Sequence, residues 1–425
     1  MSKILFLNRL FGPDTEATGS LLTELAEDLA VWHEVTVICG PDDNSRLGIW
    51  PLIHRESYGA VRLVRTFGLT KSHNRRGFRH LNRLIYFALA WIAALRERPD
   101  VLVAETDPPM LGMLGAACKF IRNCRFVYYC QDVYPEVAQA TGGLKNPALL
   151  WLLQLANQFA FRRADAIVGL SEDMARLLRR KAVPADKIIV IPNWIDCDLV
   201  KPQAPGQAWL KKYCGNFVVM YAGNLGWTQN LESVLEAADL LQDNPQIKFV
   251  FVGDGARKKQ LQQEAARRRL TNLDFVDRVN PTAMSEVLAA ADLHLIPLGA
   301  GVAGTMVPSK LYGILAAGKP FVAMMENEAE VARVAREFEV GFVVPPRDVN
   351  ALTKTILQCL RSPELLTAMG RRARVLAEQK YSRRLVTRDF AHFLETTLKL
   401  PAAPRLDDEN DAIPEIERIA SLRAD

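Results

Sequence analysis

Three glycine-bearing turns and one lysine are the residues of this sequence best suited to holding an anionic group. The first turn is Tyr221-Ala-Gly223-Asn224-Leu-Gly226-Trp-Thr-Gln229-Asn230, the second is Gly253-Asp254-Gly255, and the third is Gly304-Thr305-Met-Val-Pro308-Ser309-Lys310. Each follows an apolar run and precedes a helical pattern, so each falls where a strand hands over to a helix, the place where open α/β sheets bind ligands. Glycine lets backbone amides approach a ligand closely, a helix start can hold a phosphate, and Lys310 adds a cation. Taken singly, each motif reads equally as a glycine closing a turn or a lysine solvating a helix start. In this order and spacing they read together as an anion site. In the first half, Asp132 follows the apolar run 126–130. A carboxylate there can orient a hydroxyl or act as a general base, and it can equally cap a turn.

The elements that must position these groups form two successive strand–helix series. In the first, short apolar runs at 4–7, 33–39, Val101–Ala104, 126–130 and 166–170 are separated by helical patterns, as a parallel sheet requires. After a break, 188–191 reads as a strand, Pro192-Asn-Trp-Ile-Asp196 is a turn, and Pro202, Pro205 and Gly206 mark a loop. A second series then runs through Phe217–Ala222, Ile247–Val252, Leu273–Val276, Leu293–Pro297, 320–323 and Gly341–Val344. The pattern predicts an α/β chain of two doubly wound domains, 1–198 and 199–380. A helix at 381–400 follows, and then a tail at 401–425 with seven acidic and three basic residues, expected to be mobile.

Length and composition agree. A chain of 425 residues exceeds one ordinary core, and 49% hydrophobic with 24% charged residues is globular usage. Apolar stretches break well before the roughly 20 residues a spanning helix needs. The start, Met-Ser-Lys followed by Ile4-Leu5-Phe6-Leu7, reads as a buried strand rather than a signal peptide. Seven cysteines without a CxxC pair form neither a disulfide framework nor a zinc site and read as reduced thiols of a cytoplasmic protein. Net charge is +5, and from Arg55 to Arg98 ten Lys or Arg stand against two Glu, with Phe78, Tyr86, Phe87 and Trp91 interleaved. That segment reads either as a basic aromatic surface for an anionic membrane or as a helix that buries one face and solvates its arginines.

Over roughly residues 3 to 395 the motifs resemble glycosyltransferase family 4, of the GT-B architecture. The resemblance runs through His33-Glu-Val-Thr-Val, Ile191-Pro-Asn-Trp-Ile-Asp196, Phe249-Val-Phe-Val-Gly-Asp-Gly255, Ala316-Ala-Gly-Lys-Pro320 and Glu330 ahead of Gly341-Phe-Val-Val-Pro-Pro-Arg-Asp348. Gly-Asn-x-Gly, Pro-Ser-Lys and Gln131-Asp132-Val-Tyr-Pro-Glu136 are similar to the branch of bacterial polysaccharide-assembly, colanic-acid-type transferases. The sequence departs from the family at Asn224 and Gln229, where an Arg and a Lys are usual. It departs again at Thr305 and Gly313, where two glutamates are usual, and near Gln131, where a histidine is usual.

The resemblance implies two Rossmann-like domains facing a cleft, with the last helix returning to the first domain. It implies retaining transfer of a sugar from a nucleotide donor, expected to be UDP-linked, to a glycan or polyprenyl-diphosphate-linked acceptor, at the inner face of the cell membrane. No metal, cofactor or nucleic acid is expected. Lys310 and Asp132 are assigned to the chemistry. The donor contacts would be Gly19, Gly223, Asn224, Gly226, Gln229, Gly253, Asp254, Arg278, Thr305, Pro308, Ser309 and Glu330. Rival readings are a non-catalytic partner subunit, which the missing glutamates favour, and a sugar-nucleotide 2-epimerase. A dinucleotide oxidoreductase lacks its Gly-x-Gly-x-x-Gly after the first strand, where Asn8-Arg-Leu-Phe-Gly12 stands.

Overall fold

A computed structural model describes residues 1–12, 17–41, 52–68, 76–140, 142, 144 and 146–400. The acidic tail read at 401–425 lies outside them, as do Lys71 and Arg75 of the basic segment. The chain divides into two compact units. The first comprises Met1–Ala138, Leu144–Pro192 and the described residues from Val386 onward; the second is centred on Asn193–Leu385.

Unit 1 runs β1 (Lys3–Leu7), α1 (Ala17–Ala30), β2 (Glu34–Cys39), β3 (Ile53–Tyr58), β4 (Val61–Thr66), α2 (Arg76–Arg96), β5 (Val101–Ala104), α3 (Leu111–Arg122), β6 (Arg125–Cys130), α4 (Glu136–Ala140), α5 (Pro147–Arg163), β7 (Ala166–Gly169), α6 (Glu172–Arg180) and β8 (Ile188–Val190). The sheet order is β3-β4-β2-β1-β5-β6-β7-β8, parallel except for β3 against β4. Strands β1, β5, β6 and β7 are apolar nearly throughout because both faces are covered. The β3–β4 hairpin is the one element of this sheet that the sequence reading missed. Its β3 reads Ile-His-Arg-Glu-Ser-Tyr, an edge strand with no buried residue, so it lacks the apolar run by which the central strands were found.

Unit 2 follows with α7 (Gln207–Tyr213), β9 (Phe217–Ala222), α8 (Glu232–Leu240), β10 (Ile247–Val252), α9 (Lys258–Arg267), β11 (Leu273–Val276), α10 (Met284–Ala289), β12 (Leu293–Pro297), α11 (Lys310–Ala316), β13 (Phe321–Met324), α12 (Glu330–Glu337), β14 (Gly341–Val344), α13 (Val349–Leu360) and α14 (Pro363–Lys380). Its six-stranded parallel sheet has the order β11-β10-β9-β12-β13-β14. Each sheet therefore reverses direction once, between β1 and β5 and between β9 and β12, and such a switch point opens a crevice at the strand C-termini.

The last helix, α15 (Arg383–Thr397), belongs to unit 1 from Val386 on. Phe390 is fully buried there, with its ring centroid 5.4 Å from that of Tyr129 and 5.7 Å from that of Phe393. Phe390→Ala is expected to destabilise unit 1 by about 3–5 kcal/mol, because the helix cannot collapse into the space left by the ring. Urea unfolding should register this as an earlier transition. All seven cysteines are free, five of them buried, and burial pushes the Cys118 thiol up to about 12 and that of Cys124 to about 11. The buried ones are inert structural thiols.

Candidate functional site

In unit 2 the first two glycine turns lock onto each other. Gly223 N donates to Val252 O (2.8 Å), Leu225 N to Asp254 O (2.8 Å) and Arg257 N to Leu225 O (3.0 Å). Gly223 and Gly253 have φ of 144° and 139°. A Cβ on Gly253 would stand 2.1 Å from Gly223 O, so only glycine permits this backbone contact. Asn224 and Gln229 close over the same turn: a Cβ on Gly226 would lie 3.0 Å from Asn224 Nδ2 and 2.9 Å from Gln229 Oε1. Asp254 accepts from Gly255 N (2.8 Å).

The loop after β12 is drawn to this turn by Gly299 N, which donates to Thr228 O (2.7 Å). The loop leads to Lys310. The Lys310 side chain lies over the Tyr221 ring, Nζ 4.9 Å from its centroid, and so close to Gly223 that a Cβ there would be 2.4 Å from Lys310 Cε. Among the described residues no carboxylate pairs with this ammonium. Loss of water alone pushes its pKa down to about 8. The structure thus brings Gly223, Asn224, Gly226, Gln229, Gly253, Asp254 and Lys310 together at the β9/β12 switch point, around one uncompensated cation.

Other expected donor contacts are placed differently. Gly19 sits in the first turn of α1, where its carbonyl accepts from Thr23 Oγ1 (2.8 Å); it belongs to a helix of unit 1 rather than to an open loop. Thr305 is buried, and its hydroxyl already donates to Val302 O (2.7 Å). Pro308 accepts from Leu311 N (3.2 Å), and exposed Ser309 makes no capping hydrogen bond. Arg278 is exposed two residues past β11, whose last residue Val276 accepts from Gly253 N (3.0 Å). Glu330 holds Arg333 with both oxygens (2.6 and 3.1 Å). The carboxylate that does reach the loop after β12 is Glu326, whose Oε1 accepts from Gly301 N (2.5 Å). Glu326 stands two residues past β13, among three closely spaced acidic side chains that the sequence alone could not rank.

Unit 1 holds a second polar site at its own switch point, a cavity of about 300 Å³ at the ends of β1, β5 and β6. Asp132 lines it, its backbone N–H donating to Thr106 Oγ1 (3.2 Å). Loss of water, and then the charge of Asp107, push its carboxyl up to about 6. Asp107 receives Arg9 at 3.1 Å (Nε) and 2.8 Å (Nη2), with Arg83 Nε 4.0 Å away on the other oxygen. Glu105 is fully enclosed, and burial followed by the Asp107 charge raises its pKa well above the ordinary value, favouring the protonated carboxyl. Its Oε2 makes no hydrogen bond among the described residues, and the buried Asn8 also lines the cavity. Donor acid, acceptor carboxylate and amide around one small space suit a polyhydroxylated ligand. Sequence reasoning found only Asp132 here. Asn8, Arg9, Glu105 and Asp107 are simply the first polar residues after β1 and β5, and that position was the available signal.

With this geometry in place, comparison with known proteins is informative. Residues 18–194 match the family described as "Glycosyl transferase 4-like domain", and residues 209–376 match "Glycosyl transferases group 1". The chain is 29% identical over 320 residues to the glycosyltransferase WbjE of Pseudomonas aeruginosa, covering 74% of this chain and 79% of that one. It is 28% identical over 416 residues to WcaI of Escherichia coli (strain K12), named for glycosyl transfer in colanic acid biosynthesis, covering 91% and 98%. Among solved structures it is similar to sucrose-phosphate synthase from Thermosynechococcus elongatus (TM-score 0.77, 15% identity, 94% and 100% covered). It is also similar to Anabaena HepE in complex with UDP-glucose (TM-score 0.69, 19% identity, 93% and 100% covered). These likenesses give the fold as GT-B.

Proposed function

We propose, on the premise that the chain belongs to the glycosyltransferases that join a 4-like domain to a group 1 domain, that its donor is a UDP-sugar held by unit 2. The chain is a GT-B glycosyltransferase of polysaccharide biosynthesis. In our reading the transfer proceeds with retention and without a metal, to a hydroxyl of a glycan or polyprenyl-diphosphate-linked acceptor. The UDP assignment draws on HepE, which was solved with UDP and with UDP-glucose.

One observation supports this reading above the others: Lys310, with no carboxylate partner among the described residues, lies against Gly223 and Tyr221 at the β9/β12 switch point. When the anomeric C–O bond breaks, negative charge gathers on the departing diphosphate, and a fixed cation there lowers the barrier. Backbone amides of the Gly223 turn approach the same anion. Glu326 is the better placed carboxylate for a ribose or sugar hydroxyl, since Arg333 engages Glu330. On the acceptor side Asp132, with a pKa of about 6, is ionised at neutral pH and takes the hydroxyl proton as the new glycosidic bond forms.

A thermal-shift screen of UDP, GDP, ADP, CDP and NAD tests the donor site. UDP at a hundredfold excess over Kd is expected to raise the melting temperature by about 5 °C. Gly223→Ala, whose Cβ would displace Lys310, should lose most of that shift. Stabilisation by no nucleoside diphosphate, or by NAD alone, would sink the assignment.

A further inference from the structure

A surface helix ordinarily turns its apolar stripe to the core. Helix α5 has apolar residues on both sides. Leu153, Ala156, Ala160 and Phe161 are buried, while Leu149, Trp151, Leu152, Leu155 and Phe159 face solvent, each at least 41% exposed. The spacing Leu152, Leu155, Phe159 makes the outer set a continuous stripe along a helix about 25 Å long. Helix α3 packs between α2 and α5. It ends in Phe120, 82% exposed, and Ile121, and α2 adds exposed Leu84. An exposed apolar helix face of this kind marks an interaction site.

Charge identifies what covers it. None of α2, α3 and α5 contains a single Asp or Glu. Helix α5 closes on Arg162 and Arg163, both exposed and, among the described residues, without a carboxylate partner. Arg163 lies over the Phe159 ring at 5.7 Å. The hairpin of the basic segment offers no such surface, because its arginines are paired: Arg55 with Glu97, Arg62 with Glu34 and Arg65 with Glu56. No described helix is long and apolar enough to cross a membrane, so a contact with lipid would lie along the helix rather than through the bilayer.

We propose that α5, with the end of α3, seats unit 1 on an anionic phospholipid membrane, Trp151, Leu155 and Phe159 entering the acyl boundary and Arg162 and Arg163 meeting the headgroups. This goes beyond sugar transfer and does not depend on the donor reading. The test is co-flotation of the full chain with vesicles of equimolar phosphatidylcholine and phosphatidylglycerol, and with phosphatidylcholine alone. Wild type should float with the anionic vesicles and be released by salt. Replacing Arg162 and Arg163 by alanine should weaken binding about thirtyfold. Trp151→Glu with Leu155→Glu should abolish it, with the unfolding midpoint and the UDP shift unchanged. Wild type remaining with buffer would overturn the proposal, as would undiminished flotation of the glutamate variant. A wild-type dimer that floats with neither vesicle, and that the glutamate variant splits into monomers, would assign the face to a second copy of the chain instead.

Discussion

Lys310→Met is expected to make the free protein more stable and to abolish its use of donor. The ammonium is held in a partly dehydrated position with no carboxylate against it among the described residues, and its pKa falls to about 8, below the ordinary lysine value. A folded-state pKa below the unfolded one means that the unfolded chain binds more protons between about 8 and 10.4, so wild-type stability rises with pH through that window. At pH 7 the charged lysine opposes folding by roughly 3 kcal/mol, which methionine removes. Above pH 10.5 the two proteins should converge. Transfer behaves oppositely. Without the cation the departing diphosphate loses its electrostatic partner, and kcat/KM should drop about 10²–10³-fold. Calorimetry gives an independent check: wild-type affinity for UDP should weaken above pH 8 with proton uptake on binding, and the methionine variant should be flat. A variant that is both less stable and still able to bind UDP would make Lys310 a packing residue.

The parts of this molecule that the sequence disclosed are those whose causes are local. Buried parallel strands announce themselves as apolar runs, and turns that need positive φ demand glycine, so Gly223 and Gly253 could be found without coordinates. What stayed hidden depends on who meets whom. Thr305 bonds to Val302, and Glu330 to Arg333, one turn along its own helix. The Glu105–Asp107–Asp132 cavity joins residues from β5 and β6 that only the strand order makes neighbours. The exposed stripe of α5 was hidden too, because an apolar helix reads as core until its packing partner is seen to cover only one side.

Asp132→Asn decides between the two readings that the sequence left open. As a turn or N-cap carboxylate, Asp132 would accept backbone N–H groups, and asparagine would serve nearly as well. The geometry is different: its own N–H donates to Thr106, α4 begins only at Glu136, and its carboxyl is raised to about 6 by loss of water and by Asp107. Because that pKa exceeds the unfolded value near 3.9, the folded chain holds the extra proton between about 4 and 6 and loses stability as pH rises through that window. Asparagine, neutral throughout, should stabilise the protein on the order of 2 kcal/mol at pH 8 and by almost nothing at pH 4. As the base for the acceptor hydroxyl, Asp132 must be ionised, so wild-type kcat/KM should climb with pH through about 6, and the variant should lose about 10²–10⁴-fold with that limb abolished. Thermal melts at the two pH values and one pH–rate profile suffice. Unchanged activity, or destabilisation at pH 8, would return Asp132 to the role of a structural turn residue and leave the acceptor proton to the departing diphosphate.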